Sequence, residues 1–353
     1  MEHREDVRLD AIPFPAFILR DGRPESGNRA AREMFPGWQP GGLPAALEQL
    51  LGEAEDPSAG LAGCCMAEGK DCQVTLSPRT EGEQLLCVVP RGPGAGGPAL
   101  EQLGSQLREC LGELHLSAQR LGQPLEQLQD RRWDGAYFTL QRGLYRLLRM
   151  TRHLELLQQL DQELPEQGAL DLADLCAELT GQAEVLSRQA GVELYYESRL
   201  LTLPTLGSAP LLEMLLLNLL SNGIKAAGRG GTVTLRLSRE GRNAVLTVED
   251  SGGAGQTDLT ALFQEGASPL RPGAGLGLGL TLVRRIALAH EGTVLAVGHG
   301  GGTRVTVFLP LRDAGGALSL RTPTRDAEGG FPPVLVELSD VLPSSCYDYS
   351  NLD

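Results

Sequence analysis

Lysine is almost missing from this chain: of its 31 basic residues, all but Lys70 and Lys225 are arginine. Asparagine is nearly as scarce, at positions 28, 218, 222, 243 and 351. No basic run occurs, and 45 acidic residues leave a formal charge of −14. That balance excludes a general nucleic-acid binder, because phosphate recognition shows as a basic face. The seven cysteines, at 64, 65, 72, 87, 110, 176 and 346, form no CxxC pair, and their odd number fits no disulfide framework. They read as reduced, buried small side chains. Long hydrophobic runs are missing too. No segment reaches the roughly 18 apolar residues of a membrane span, and MEHREDVRLD at the start has no apolar signal core. The expectation is a cytoplasmic protein.

Scarcity makes one stretch conspicuous. NLLSNGIKAA, from Asn218 to Ala227, holds two of the five asparagines and one of the two lysines. Where lysine survives such a skew, its compact ammonium is the more meaningful choice.

At 353 residues the chain is long enough for two or three domains. Residues 1–92 read as a small α/β unit: AFILR as a strand, DGR as a turn, and NRAAREMF as a helix that Asn28 caps. Three further strands are expected near Ala62–Ala67, Cys72–Leu76 and Gln84–Val89. A Gly/Pro linker, 93–98, follows. Over 99–165, Leu103, Leu107, Cys110, Leu114, Leu121, Leu125 and Leu128 make one helical stripe, and Leu140, Leu144, Leu147, Thr151 and Leu154 a second. Such an antiparallel hairpin has too little core alone and is expected to pair with a second copy as a dimeric four-helix bundle. Residues 168–312 alternate helices with period-2 strands and read as a two-layer α/β sandwich, making the whole chain α+β. The Gly/Pro-rich acidic tail, 313–353, is expected to be mostly disordered.

Three pieces of 168–312 carry chemistry. Asn218, Asn222 and Lys225 stand at i, i+4 and i+7, on one helix face, where a polar stripe suits a polar ligand. VLTVEDSGGAG ends a strand at Asp250 and continues into Gly252, Gly253 and Gly255. Backbone can approach a flat ligand closely there, and the carboxylate can accept from an exocyclic amine such as that of adenine. GAGLGLGLTLVRRI places Gly273, Gly275, Gly277 and Gly279 ahead of a helix starting near Leu280 or Thr281, an N-terminal anion site suited to phosphates. A dinucleotide fingerprint would need a strand directly before the glycines, where FQEGASPLRP reads as a loop. No P-loop is present either.

In this order and spacing the three pieces resemble the ATP-binding domain of the sensor histidine kinases, within the superfamily of gyrase, MutL and the large heat-shock chaperone. The resemblance covers roughly Leu170 to Leu311. It implies Asn222 as the magnesium ligand, with Asn218 and Lys225 as its polar companions. EDSGGAG looks like the first glycine box, with Asp250 as the adenine reader. ALFQEG (Ala261–Gly266) resembles the family's F box, and GLGLGLTLVRRIALAHEGT its second glycine box. The family's D-x-G-x-G has its last glycine where Ala254 stands, with Gly255 one step later. The resemblance thus implies an Mg-ATP site drawn from Asn218, Asn222, Lys225, Asp250, Gly252, Gly253, Gly255, Arg271, Gly275, Gly277, Gly279, Leu280 and Thr281, with Arg271 reaching the γ-phosphate.

ATP-hydrolysing relatives carry a glutamate four residues before the magnesium asparagine, as the base that activates water. Asn218 stands there, and an amide takes no proton, so the resemblance implies phosphoryl transfer to a protein acceptor rather than hydrolysis. His115, in RECLGELHLSAQRL, is the expected phosphoacceptor; His153 lies on the second helix, where the family places none. Leu116 follows His115 where the family has an acid, and Pro124 comes nine residues on rather than about five. Residues 7–90 loosely resemble a PAS sensor domain. The implied activity is autophosphorylation of a homodimer and transfer to an aspartate of a response-regulator receiver domain. The alternative is a degenerate ATP-binding dimer that regulates a partner without phosphorylating itself.

Overall fold

Asn28 organises the start of the chain. Its Oδ1 accepts from the backbone N–H of Ala31 at 2.8 Å and from that of Ala16 at 3.0 Å, so one side chain caps a helix and pins a strand. The computed structural model describes residues 15–52, 61–78, 83–90, 133–162, 167–252, 278–299, 301–312 and 331–347, with the isolated residues 9, 12, 114, 117, 118 and 121.

The N-terminal unit contains β1 (Ala16–Arg20), β2 (Arg23–Gly27), α1 (Arg29–Met34), α2 (Ala45–Gly52), β3 (Leu61–Ala67), β4 (Lys70–Pro78) and β5 (Glu83–Pro90). Asp21 and Gly22 both take positive φ, 51° and 75°, in the two-residue turn that joins β1 to β2. The strand RPESG escapes sequence reading because its Pro, Gly and charges look like turn chemistry. It forms the edge of the sheet, where Pro24 does least damage to the hydrogen-bond ladder.

The remainder contains α3 (Asp134–Gln162), β6 (Gly168–Asp171), α4 (Leu172–Ala190), β7 (Glu193–Ser198), β8 (Pro204–Gly207), α5 (Ala209–Ala227), β9 (Thr232–Glu240), β10 (Asn243–Asp250), α6 (Leu278–Ala289), β11 (Thr293–His299), β12 (Gly302–Pro310) and α7 (Pro333–Glu337). Asp171 caps α4 by accepting from the N–H groups of Ala173 and Asp174, and Gly191 ends it at φ 78°. Helices α4, α5 and α6 share a leucine-rich core with the strands they cover.

One sheet of ten strands runs through both units in the order β2-β1-β5-β4-β3-β11-β12-β10-β9-β7. The join is antiparallel, with Gly63 opposite Leu295 and Cys64 opposite Val294. The face of β10, β11 and β12 away from α5 supplies Val245, Leu295 and Phe308 to a second core with Phe17, Leu50 and Leu86. The sheet and core of the N-terminal unit thus continue into the C-terminal part. The boundary at the Gly/Pro linker is a boundary in sequence, while the hydrogen-bond ladder crosses it.

The expectation of a mostly disordered tail fails for residues 331–347. They form α7 and a 3-10 turn (Ser344–Tyr347) and bury Phe331, Val334, Leu335, Val336, Leu338, Leu342, Cys346 and Tyr347. Tyr145 of α3 packs its ring 5.5 Å from that of Phe331 and 5.0 Å from that of Tyr347. The acidic, Gly/Pro-rich composition of the whole tail masks this short apolar set. Helix α3 is the expected second helix of the hairpin. The first lies outside the described residues except for Leu114, Ser117, Ala118 and Leu121, which are helical, with Ala118 packed on Leu144. The six described cysteines are free thiols, five of them buried.

Candidate functional site

Helix α5 is set on the sheet by Gly223, where a Cβ would come within 3.0 Å of Val233 and 3.2 Å of Val248. Leu215, Leu219, Leu220 and Ile224 bury its apolar faces. This close seating turns Asn218 and Asn222 toward the start of α6. A Cβ on Gly279 would meet Asn218 Oδ1 at 2.9 Å and Asn222 Nδ2 at 3.4 Å, so glycine lets the α6 backbone lie against both amides. Helix α6 begins at Leu278, two residues earlier than expected, which puts Gly279, Leu280 and Thr281 in its first turn.

The polar stripe divides along the helix. Lys225 is exposed, and burial of its stem lowers its pKa against the attraction of Asp340. Asn222 is half-buried, and its Nδ2 has no hydrogen-bond partner among the described residues. Asn218 is 0 % exposed, turned into the protein rather than toward an open ligand face. Its Nδ2 donates to the Met214 carbonyl at 2.9 Å and to Glu337 Oε2 at 3.2 Å, and its Oδ1 accepts from Arg149 Nη2 at 3.1 Å.

Asp250 closes β10 beside this helix. Its Oδ1 accepts from the Gly252 N–H at 3.0 Å, and burial raises its carboxyl pKa. A Cβ on Gly252 would fall 2.2 Å from the Ala226 carbonyl oxygen, so the turn after the strand runs directly over the end of α5. Thr281 is fully buried with no hydroxyl partner among the described residues. An orphaned amide on Asn222, an orphaned hydroxyl on Thr281 and a desolvated carboxylate on Asp250 thus sit around glycine backbone. Polar groups so placed fit a polar ligand, since buried polar atoms ordinarily find partners within the protein. The chemistry of the set fits Mg-ATP: a carboxamide oxygen for a hard cation, a carboxylate for an amine and a helix N-terminus for phosphate. Gly253, Gly255, the segment 261–266, Arg271, Gly275, Gly277 and His115 lie outside the described residues.

Three functional candidates, Arg149, Glu337 and Asp340, escaped the sequence, and they surround His153, which the sequence set aside as a phosphoacceptor. Glu337 Oε2 accepts from Arg149 Nε at 3.2 Å and lies 2.7 Å from His153 Nε2. Burial pushes the Glu337 pKa up, but His153 and Arg149 more than offset it, and the net shift is downward. The only local signal was a row of arginines, 142, 146 and 149, at i, i+4 and i+7 on α3. His153 is 4 % exposed, enclosed between α3 and the tail.

Residues 207–313 match the family described as histidine kinase-, DNA gyrase B- and HSP90-like ATPase. Sensor histidine kinase CusS of Escherichia coli O6:H1 is 32% identical over 264 residues, covering 68% of this chain and 53% of CusS. Probable sensor histidine kinase TcrY of Mycobacterium tuberculosis is 33% identical over 172 residues, covering 47% of this chain and 36% of TcrY. Among solved structures, the Acinetobacter baumannii histidine kinase AdeS aligns with a TM-score of 0.41 at 20% identity, over 57% of this chain and 96% of that one. The chain spans about half the length of the CusS sequences it matches. Residues 207–313 therefore carry the ATPase domain of this superfamily, and the chain is a relative of the sensor histidine kinases.

Proposed function

We propose that the chain is a homodimeric protein-histidine kinase that uses Mg-ATP to phosphorylate His115 and passes the phosphoryl group to an aspartate of a response-regulator receiver domain. The observation that carries this reading is the pair Asn218 and Asn222 on α5 against Gly279, with Asp250 alongside. Asn222 would hold the magnesium ion through its side-chain oxygen, and the ion would neutralise charge on the phosphates. Asp250 would accept from the adenine amine, and the first turn of α6, with Gly279, Leu280 and Thr281, would face the phosphates with free N–H groups.

The residue four positions before Asn222 is Asn218, an amide that takes no proton. Glu337 does approach Asn218, but its Oε2 already accepts from three groups and its pKa is lowered, so it is a poor base for water. That favours transfer over hydrolysis. His153 is enclosed and engaged, which leaves His115 as the hairpin's candidate acceptor. Along α3, Leu140, Leu147 and Leu154 recur at sevens and remain 50%, 51% and 36% exposed. Such a seam suits a second copy of the hairpin. Among the described residues no helix is long and apolar enough to cross a membrane.

Incubation with γ-labelled ATP tests the reading. Acid-labile label on wild type that is lost in His115→Gln supports it. Label absent from both points to the alternative, an ATP-binding dimer that regulates without phosphorylating itself. Sustained multiple-turnover phosphate release excludes both.

A further inference from the structure

Three arginines of α3 converge on the tail. Arg142 donates from Nε to the Ser339 carbonyl and from Nη2 to the Asp340 carbonyl, each at 3.2 Å. Arg146 Nε lies 2.8 Å from Asp340 Oδ1, and Arg149 Nη1 lies 2.6 Å from Oδ2, so the two guanidiniums clamp both oxygens of one carboxylate. Arg149 reaches further, to Asn218 on the helix that carries the polar stripe. Lys225 belongs to the same field: Asp340 raises its pKa, while Arg149 and Arg146 lower it. Two guanidiniums of α3 therefore share one carboxylate, whose field also reaches Lys225 of α5, next to the buried Asn218.

A carboxylate so held has the binding chemistry of a phosphoryl group. Guanidinium forks match the oxygens of either, and an ammonium beside them adds a point charge. Deleting the carboxylate would leave Arg146 without its anion and Arg149 with Glu337 alone. The nearest anion the proposed activity supplies is the terminal phosphate of the nucleotide.

We propose that Arg146 and Arg149 form a subsite for the γ-phosphate of ATP beside Lys225, and that Asp340 of the C-terminal segment is its built-in competitor. This rests on the nucleotide reading of the α5 face. The segment Phe331–Tyr347 is then an intrasteric inhibitor: while Asp340 is seated, the subsite is filled and α3 is tied to α5 through Arg149. Phosphate entry and departure of Asp340 are one exchange, so ATP binding displaces the Asp340 end of the tail from α3. ADP has no group to make that exchange.

The test is equilibrium binding of Mg-ATP and Mg-ADP to the full chain, measured by calorimetry. In Asp340→Asn, ATP affinity is expected to rise about tenfold while ADP affinity changes less than about twofold, since one charge-assisted contact is removed from competition. Asp340→Glu, which keeps the carboxylate, is expected to restore the wild-type ratio. Arg146→Ala, at a partly exposed position that can be truncated without disturbing the core, is expected to lower the ATP-to-ADP affinity ratio about fivefold or more. Equal responses of ATP and ADP in both Asp340→Asn and Arg146→Ala, or no response in either, would overturn the proposal alone. Binding of neither nucleotide to wild type would overturn the nucleotide reading and this one with it.

Discussion

His153 and Glu337 stand 184 positions apart in the chain and 2.7 Å apart in the protein, both buried. Their contact fixes the tail helix α7 to the hairpin helix α3, and Asn218 of α5 joins the same carboxylate at 3.2 Å. Three elements from distant parts of the sequence thus meet at one acidic side chain.

Removing that side chain leaves Arg149 buried without one of its counter-charges. Glu337→Ala is expected to cost about 3 kcal/mol of stability, the range found when one partner of a buried pair is deleted. Urea unfolding followed by circular dichroism measures it; a loss under about 1 kcal/mol would show that the cluster relaxes without its carboxylate.

The same residue sets a pH dependence. Its folded pKa is lowered, so as pH falls the unfolded chain takes up the proton first, and the stabilisation drains away toward the folded value. The stability difference between wild type and Glu337→Gln should hold steady from neutral pH down to about 5 and shrink below about 4.3, the ordinary glutamate value. A difference that stays flat through that window would contradict the assignment.

Asp250→Asn tests the adenine contact. The neutral amide keeps the shape but presents a donor where a carboxylate oxygen accepted, so ATP affinity is expected to fall by about 10 to 100-fold. The melting temperature should change by only a few degrees, because Asp250 is half-buried and an amide oxygen can still accept from the Gly252 and Thr303 backbone N–H groups. Loss of affinity together with loss of fold would assign Asp250 a structural role.

The exposed leucines of α3 predict association. Leu147→Glu puts a charge into the seam and is expected to weaken the dimer by about a hundredfold, read as a shift to monomer in sedimentation equilibrium. A wild-type chain that is monomeric throughout would remove the need for a second copy.

Gly63 tests the join between the two halves of the sheet. A Cβ there would meet the Val294 carbonyl oxygen at 2.9 Å and Leu50 at 3.1 Å. Gly63→Val is expected to cost about 1 to 3 kcal/mol and to raise amide exchange along β3 and β11 first. Exchange that rises uniformly would mean the join is not a separable feature.

Local signals explain which parts of this architecture the sequence disclosed. Asn28 announced its helix because a cap needs a particular side chain at a particular place, and α5 showed its polar stripe because helical spacing is fixed. The pairing of β3 with β11 left no mark, since backbone ladders between distant strands are read by geometry and not by residue type. Asn218 was legible as a polar residue on a helix face, but whether a ligand or the protein satisfies a buried amide depends on what else reaches it. Here Arg149 and Glu337 do, from 69 and 119 positions away. Glu337 and Asp340 were hidden by the average composition around them.

The β3–β11 ladder also constrains how the molecule is made. Cys64 and its partner Val294 lie about 230 positions apart, so at roughly 5 to 20 residues per second β3 waits on the order of 10 to 45 seconds for its neighbour to leave the ribosome. During that interval the nascent N-terminal half presents a bare strand edge, LAGCCMA, of small apolar residues with no charge to discourage pairing with another chain. Occupancy of that edge during synthesis, by a chaperone or by a neighbouring nascent chain, would decide how much of the protein reaches its native topology.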